Sequence, residues 1–536
     1  MSVYDVFHGH PPLQGAMSAT ADASGVLVHH PGPLQYYLLA PVVYILGGAG
    51  WTLAVASGLL SGVLVCIAIG AGYELAGRWG GLGALGATAT VGVVGGLDTY
   101  IRSFNPLPRS LAVIALLFLV ALLLRRRTGA LPWFIFVASL ITQTHLSGLP
   151  FMAVVVVPLT VIGLVRWWQT RRTIWPMRGW IAEGNRRRAW VWTCWGVFLA
   201  CWCAPALELL VRQPNNLTQV WRFTTSSSRA TGTKNDLGEV LLGHLSSAYP
   251  FSSKVGRFAS PYGGFLDSEF SVLDLVLGAA CLLLLIGVAV VPRRFLPRDV
   301  LLPEWLPTLA RASLWFQAAL VVLIYLVPAT NHQVWNYTLV PGVLAVTWWA
   351  IITSLGCFVI ALIMRIRATD GARRGLRGDG WGIEGWRGRS PVAARALVVI
   401  ALCLSAAPLI DGRPSSLHAG HGIENTAQEI AADLTRAGAP PRHVNLVGVG
   451  FMSIFDIAPA VGYELRRQGL AVHLPSFFVD VEDTEFRKGR TSPPDSVQLI
   501  LYDPGHQPDA GEHLIGGVET SRGTVRIYFR PTPEAE

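Results

Sequence analysis

"SLAVIALLFLVALLLRRR", Ser110–Arg127, carries the reading of the whole chain. The run from Leu111 to Leu124 holds no charge, and Arg125, Arg126 and Arg127 stop it. A helix crosses the hydrocarbon core of a bilayer with roughly 20 apolar residues. Arginines gather at the cytoplasmic ends of such helices. The stretch therefore reads as a span whose direction is marked, leading from the outer face to the inner one.

The same pattern recurs. Apolar segments lie at about 50–77, 80–97, 109–124, 130–147, 149–166, 189–208, 271–292, 310–328, 337–363 and 392–410. Arg166, Arg171, Arg172, Arg178, Arg186, Arg187 and Arg188 fill the loop after the fifth, and Arg293 and Arg294 follow the seventh. Seven arginines from Arg365 to Arg389 follow the ninth. With these regions inside, the segments 98–108, 209–270, 329–336 and everything after 411 fall outside, and the alternation closes. Composition agrees: the 536 residues are 52% hydrophobic and 14% charged, against roughly 25% charged in soluble domains. The net charge of +9 sits in these short loops, so it needs no nucleic-acid partner. Only Lys234, Lys254 and Lys488 are lysines among 42 basic residues, a bias of GC-rich bacterial genomes. The seven cysteines all lie in apolar segments and read as small buried hydrophobes.

Walking back along the alternation places residues 1–49 outside, with neither a basic region nor an apolar one before Phe7 to export them. The expectation is a further span upstream of Met1, for about eleven in all. The apolar stretch 34–47 is too short for a span and is broken by Pro41. It reads as an interfacial helix, with Tyr36, Tyr37 and Tyr44 at headgroup level.

After Ile410 the composition becomes that of a soluble domain. "ENTAQEIAADLTRAG" (424–438) reads as a helix with a capping box, Thr426 with Glu429. "DIAPAVGYELRRQGL" (456–470) reads as a second helix, and 443–450, 496–504 and 524–531 read as strands. "GVGFMS" lacks the glycine spacing of a dinucleotide loop. The expected architecture is a polytopic α-helical membrane protein of about ten spans, residues 1–410, with an extracytoplasmic α/β domain, residues 411–536.

Polar residues converge on the outer face. The first loop offers Asp5, His8, His10, Asp22, His29 and His30; the second offers Asp98, Arg102 and Asn105. "TQTHLSG" adds Gln143 and His145, "CAPALELLVRQPNNL" adds Glu208, Arg212, Asn215 and Asn216, and "ATNHQVWNYT" adds Asn331, His332, Asn336 and Tyr337. Ionisable groups near membrane depth are costly and often functional. Plainer roles stand beside these. Glu208 and Arg212 are spaced i,i+4 and suit a local ion pair. His29 and His30 precede Pro-Gly-Pro and suit a turn. A metal site from His8, His10, His29 and His30 is discouraged by the prolines. Asp98 can pair with Arg102.

At these residues the chain resembles a known family. "YDVFHGHPPLQG", "HHPGPLQYYLLAP", "NPLP", "TQTHLSG" and "WCAPALELLVRQPNNL" are similar to segments of actinobacterial membrane proteins of the C-type glycosyltransferase fold (GT-C), over roughly residues 4–345. The resemblance implies a polyprenyl-phosphate sugar donor, a glycan or lipid acceptor, and work at the outer face of the bacterial cytoplasmic membrane in cell-envelope glycan synthesis. It implies Asp5 as the catalytic carboxylate and Asp98 as the second acid, and leaves open a divalent metal ion there. His30, Arg102, His145, Glu208, Arg212, His332 and Tyr337 are then candidates for holding substrate, with Arg102 or Arg212 and His30 or His332 on the phosphate. The chain departs from the family's pattern in showing no span before Asp5 and a single acid at that position. The competing readings are a transporter or flippase of a lipid-linked sugar, and an envelope-assembly protein. A transporter calls for charge near the midplane, and the clearest mid-span acid, Glu74, sits near the inner end of its segment.

Overall fold

The computed structural model describes residues 2–7, 9, 11–21, 27–95, 98–101, 108–173, 180–225, 237–249, 271–291, 302–326, 338–373, 423–432, 443–449, 457–473, 497–520 and 523–530. Helix α1 (Ser2–Asp5) and an antiparallel hairpin, β1 (Met17–Ala21) with β2 (Leu27–His29), precede α2 (Leu34–Ile45). The membrane part follows as α3 (Gly50–Gly95), α4 (Asp98–Ile101), α5 (Pro108–Leu124), α6 (Leu131–Thr144), α7 (Gly148–Thr173), α8 (Trp180–Val211), α9 (Asn216–Thr225), α10 (Leu237–Ser247), α11 (Val272–Val290), α12 (Leu306–Leu326) and α13 (Val340–Arg373).

Among the described residues, six stretches are long and apolar enough to cross a bilayer: Gly50–Val93, Gly148–Arg166, Ala189–Val211, Val272–Val290, Leu306–Tyr325 and Val340–Val359. Leu34–Ile45, Pro108–Leu124 and Thr128–Thr144 are shorter apolar helices. The chain is a multi-pass helical membrane protein. The expected segment 392–410 lies outside the described residues.

The first stretch is two helices. Ala76 (φ −142°, ψ 18°) and Gly77 (φ 60°, ψ −148°) leave helical geometry, and the chain turns back. Eight residues of straight helix would separate Gly72 from Gly80 by about 12 Å. Instead, a Cβ on either would run into the other's carbonyl. Two glycines facing each other let the backbones touch, as small residues do between membrane helices. The turn falls where the sequence separates 50–77 from 80–97.

Helix α5 is the hub. Its residues from Pro108 to Leu122 are buried all round, and α3, α6, α12 and α13 pack on it. A helix apolar on every side has this place in a bundle. At its C-terminal end the arginines have a specific task. Arg125 Nη1 donates to Leu75 O (3.1 Å), Arg166 Nη1 to Leu124 O (3.5 Å) and Arg311 Nε to Ala289 O (2.7 Å). Each acceptor sits at the C-terminal end of a helix, where carbonyls lack partners and the dipole favours a cation.

The C-terminal part is an α/β unit: α14 (423–432), β3 (His443–Val449), α15 (Ala458–Arg467), β4 (Ala471–His473), β5 (Val497–Tyr502), β6 (His513–Thr520) and β7 (Gly523–Arg530). The sheet runs β4-β3-β5-β7-β6; β3 is parallel to β4 and β5, and β7 antiparallel to β5 and β6. Strands β4 and β6 escape a reading of sequence pattern. The first is three residues long, and the second carries Gly516 and Gly517 at a break in register. The capping box is corrected. Thr426 lies inside α14, and its hydroxyl donates to Gly517 O (3.2 Å) in β6 instead of closing a cap.

This unit is fastened to the membrane part. Gly50 N, an amide at the start of α3, donates to Glu464 Oε1 of α15 (2.6 Å), and Tyr463 OH donates to Gly48 O (2.8 Å). Glu464 is 1% exposed, and its other oxygen takes Arg467 at 2.7 Å. A carboxylate at a helix N-terminus satisfies an orphan amide and meets the positive end of the dipole. Helix α3 starts at the end opposite Leu75, so the α/β unit docks on the face opposite the arginine contacts.

Candidate functional site

Helix α5 begins with Pro108, whose missing amide costs nothing in a first turn. Arg109 follows it and is 0% exposed. Its Nη2 donates to Ser147 Oγ (2.8 Å). Its Nε and Nη1 have no hydrogen-bond partner among the described residues. A buried guanidinium in that state costs several kcal/mol and calls for an anion.

Two imidazoles stand beside it. Ser147, in the turn between α6 and α7, donates its amide to His145 Nδ1 (3.2 Å), and its hydroxyl lies 2.9 Å from the same nitrogen. An amide can only donate, so Nδ1 is an acceptor and neutral His145 carries its proton on Nε2. The Ser147 hydroxyl thus accepts from Arg109 and donates to His145. The His145 ring lies 4.6 Å from that of His30, centroid to centroid, and His30 Nδ1 has no partner among the described residues. Burial, then Arg109 and His29, push the pKa of His30 down to about 3. Burial, then His30 and Arg109, hold that of His145 well below its ordinary value. Both rings are neutral at neutral pH.

The loop that carries His30 is stitched in place by buried polar groups. His30 N donates to Ala16 O (2.8 Å), and His30 O accepts from Gly15 N (3.2 Å) and Asn216 Nδ2 (3.1 Å). Asn216 Oδ1 accepts from His29 N (3.3 Å). Glu208 Oε1 accepts from Gln14 Nε2 and Asn216 N, both at 2.8 Å. Gln143 Oε1 accepts from Leu34 N (3.2 Å), while Nε2 donates to Cys201 O (2.7 Å), joining α6 to α2 and α8. Gly32 leaves room for that amide: any Cβ there would collide with Gln143.

The residues expected from the sequence thus take different places. His30 and His145 meet. Glu208 supports the loop beneath them through Gln14 and Asn216. Arg212 is half-buried one turn beyond Glu208, its amide on the Glu208 carbonyl (3.0 Å). Asp5 lies near the other end of α2, where the Phe7 ring meets that of Tyr44 at a tilt (5.1 Å) and Tyr4 meets Tyr463 edge-on (5.8 Å). From Leu34 to Tyr44 a helix rises about 15 Å. Asp98 begins α4, but its side chain, and Arg102, His332 and Tyr337 entirely, lie outside the described residues, as do His8, His10 and Asp22. No cluster of three or more His, Cys, Asp or Glu able to hold a metal occurs among the described residues. Arg109 and Ser147 are the participants that sequence reasoning missed. The available signal was a lone arginine at the outer end of a span whose other arginines cluster at the inner end. In chemical terms, the arrangement gathers one buried cation, a hydroxyl, the buried His30 ring and the half-buried His145 ring, groups of the kind that hold a phosphate-like anion.

No protein-family model and no curated protein matches the chain. Among solved structures, ArnT from Cupriavidus metallidurans in the apo state is similar, with 13% identity and a TM-score of 0.42 over 93% of this chain and 88% of that one. A likeness at this level decides neither fold family nor activity.

Proposed function

We propose that the chain is a membrane glycosyltransferase that takes its sugar from a polyprenyl-phosphate carrier on the outer face of the cytoplasmic membrane and passes it to a hydroxyl of an envelope glycan or lipid. The observation that carries this reading is Arg109, buried beside His30 and His145 at the end of a membrane helix, with two nitrogens that have no partner among the described residues. A phosphate on a lipid tail brings its charge to that level while its chain stays in the bilayer. Helix α2 flanks the site and leaves Tyr44 and Ile45 exposed at its far end, as suits a surface helix bordering lipid entry. The arginine-rich ends opposite argue for the outer face, with the α/β unit, residues 411–536, on that same side.

The chemistry needs a carboxylate to take the acceptor proton while the oxygen attacks the anomeric carbon. As the carbon–oxygen bond to phosphate breaks, charge grows on the phosphate, where Arg109 and Ser147 stand. Of the two candidate bases, Asp98 begins α4, which packs on α5, the helix that carries Arg109, whereas Asp5 is a helix length away. Asp98 is therefore favoured, with Arg102, Arg212, His332 and Tyr337 as further candidates around the sugar. The test is transfer from polyprenyl-phosphate sugars in membranes, comparing wild type with Asp98→Asn and Asp5→Asn. Loss of a general base lowers the rate by roughly 10²–10⁴. Full activity in both variants would remove these carboxylates from the mechanism. Absent transfer, with sugar lipid crossing vesicles instead, would favour a flippase.

A further inference from the structure

The charges around His30 bear on which lipid the site holds. Arg109 faces it from α5, His145 from the turn after α6, and His29 from the end of β2, while Glu208 of α8 acts on its loop through Gln14 and Asn216. A sugar linked through phosphate is a diester with one negative charge. The carrier left after transfer is a monoester with nearly two. We infer, resting on the proposed function, that the site tells the two apart by charge: Arg109 alone balances the donor, and His30 takes up a proton to balance the second charge of the spent carrier. The books close for the reaction. The acceptor oxygen bonds to carbon, the bond from carbon to the phosphate oxygen breaks, one electron pair stays on phosphate, and one proton passes from the acceptor hydroxyl to the carboxylate base, which returns it to solvent as His30 takes one up. The site is neutral before transfer and, with that equivalent of proton on His30, neutral after.

His30 is the ring suited to this. His145 Nδ1 already accepts from Ser147, so protonating it would break that contact, whereas His30 Nδ1 has no partner among the described residues. Magnitudes separate the two ligands. Burial, with Arg109 and His29, disfavours the His30 imidazolium by roughly 3,000-fold, the drop from 6.5 to about 3. One negative charge at about 4 Å favours it by roughly a thousandfold at an effective dielectric of 20. A diester therefore only returns His30 to its ordinary range, and a dianion lifts it well above.

The test is calorimetry on the full chain in micelles at pH 7.5, in two buffers of different ionisation enthalpy, which counts protons taken up on binding. The probes are geranyl phosphate, a dianion at this pH, and geranyl methyl phosphate, its monoanionic diester. The expected result is about one proton per monoester and close to none per diester, with the monoester uptake falling to near zero in His30→Gln. Equal uptake for both probes, no uptake for either, or uptake kept in His30→Gln would overturn the inference while leaving the phosphate reading intact. Failure of both probes to bind wild type would overturn the phosphate reading and this inference with it.

Discussion

Replacing Arg109 with methionine separates two explanations of a buried cation. Methionine matches much of its length and adds no charge. Without added ligand the substitution removes two nitrogen positions that lack a partner among the described residues, each costing roughly 1–3 kcal/mol, and forfeits one charged hydrogen bond to Ser147, worth roughly 1.5–3 kcal/mol. Ser147 keeps its hydrogen bond to His145, so no new orphan forms. The balance is a gain of about 2 kcal/mol. Wild type saturated with a prenyl phosphate at a hundred times its Kd gains about 2.7 kcal/mol, and a variant that cannot bind gains nothing. The order of stabilities therefore inverts: the variant is the more stable without ligand, and only wild type responds to it. Denaturant unfolding in micelles, with and without geranyl phosphate, reads both. Had Arg109 an internal anionic partner, removing it would cost roughly 3–5 kcal/mol. A destabilisation of that size, with the ligand response retained, would refute the reasoning.

Acid should weaken the fold through His30. Its folded pKa of about 3 lies below the unfolded 6.5, so the unfolded chain binds more protons as pH falls between them, and stability present above 6.5 is lost toward 3. At pH 4.5 the loss from this ring is about 2.7 kcal/mol, and His30→Gln should lose correspondingly less between pH 7 and 4.5 in denaturant midpoints; identical losses in both proteins would contradict this. Glu464→Ala should free the start of α3, raising hydrogen exchange at residues 49–53 at a cost of about 1–2 kcal/mol, while β3, β5 and β7 keep their protection; unchanged exchange at 49–53 would count against the clamp. Gly80→Leu sets a side chain against the Gly72 carbonyl and should cost roughly 1–3 kcal/mol as the hairpin opens, seen as protease cleavage near residue 77; a stable, uncleaved variant would contradict the close approach.

Most apolar segments, the arginines at their ends, and in the C-terminal unit the two helices with strands β3, β5 and β7 were legible in one dimension. Hydrophobic burial and helix-end charge act over a single element, and their periodicity survives in the sequence. Thr426 shows where such local rules fail: the spacing matches a capping box, yet a strand 91 residues away takes the hydroxyl. The site was half legible. His30, His145 and Glu208 belonged to the expected polar set, but their division into an anion-facing pair and a supporting carboxylate was not visible. Arg109 reads in sequence like any arginine bordering a span. Only the packing of α5 against its neighbours removes water from its guanidinium, and only that desolvation turns a border residue into a demand for an anion. The Glu464 contact with Gly50, 414 residues apart, is of the same kind. Sequence by itself determines which segments enter the membrane and which form the sheet, because those choices depend on composition over about 20 residues. Tertiary structure alone decides which buried charges meet and which remain unpaired, because that depends on distances between elements that no local pattern encodes.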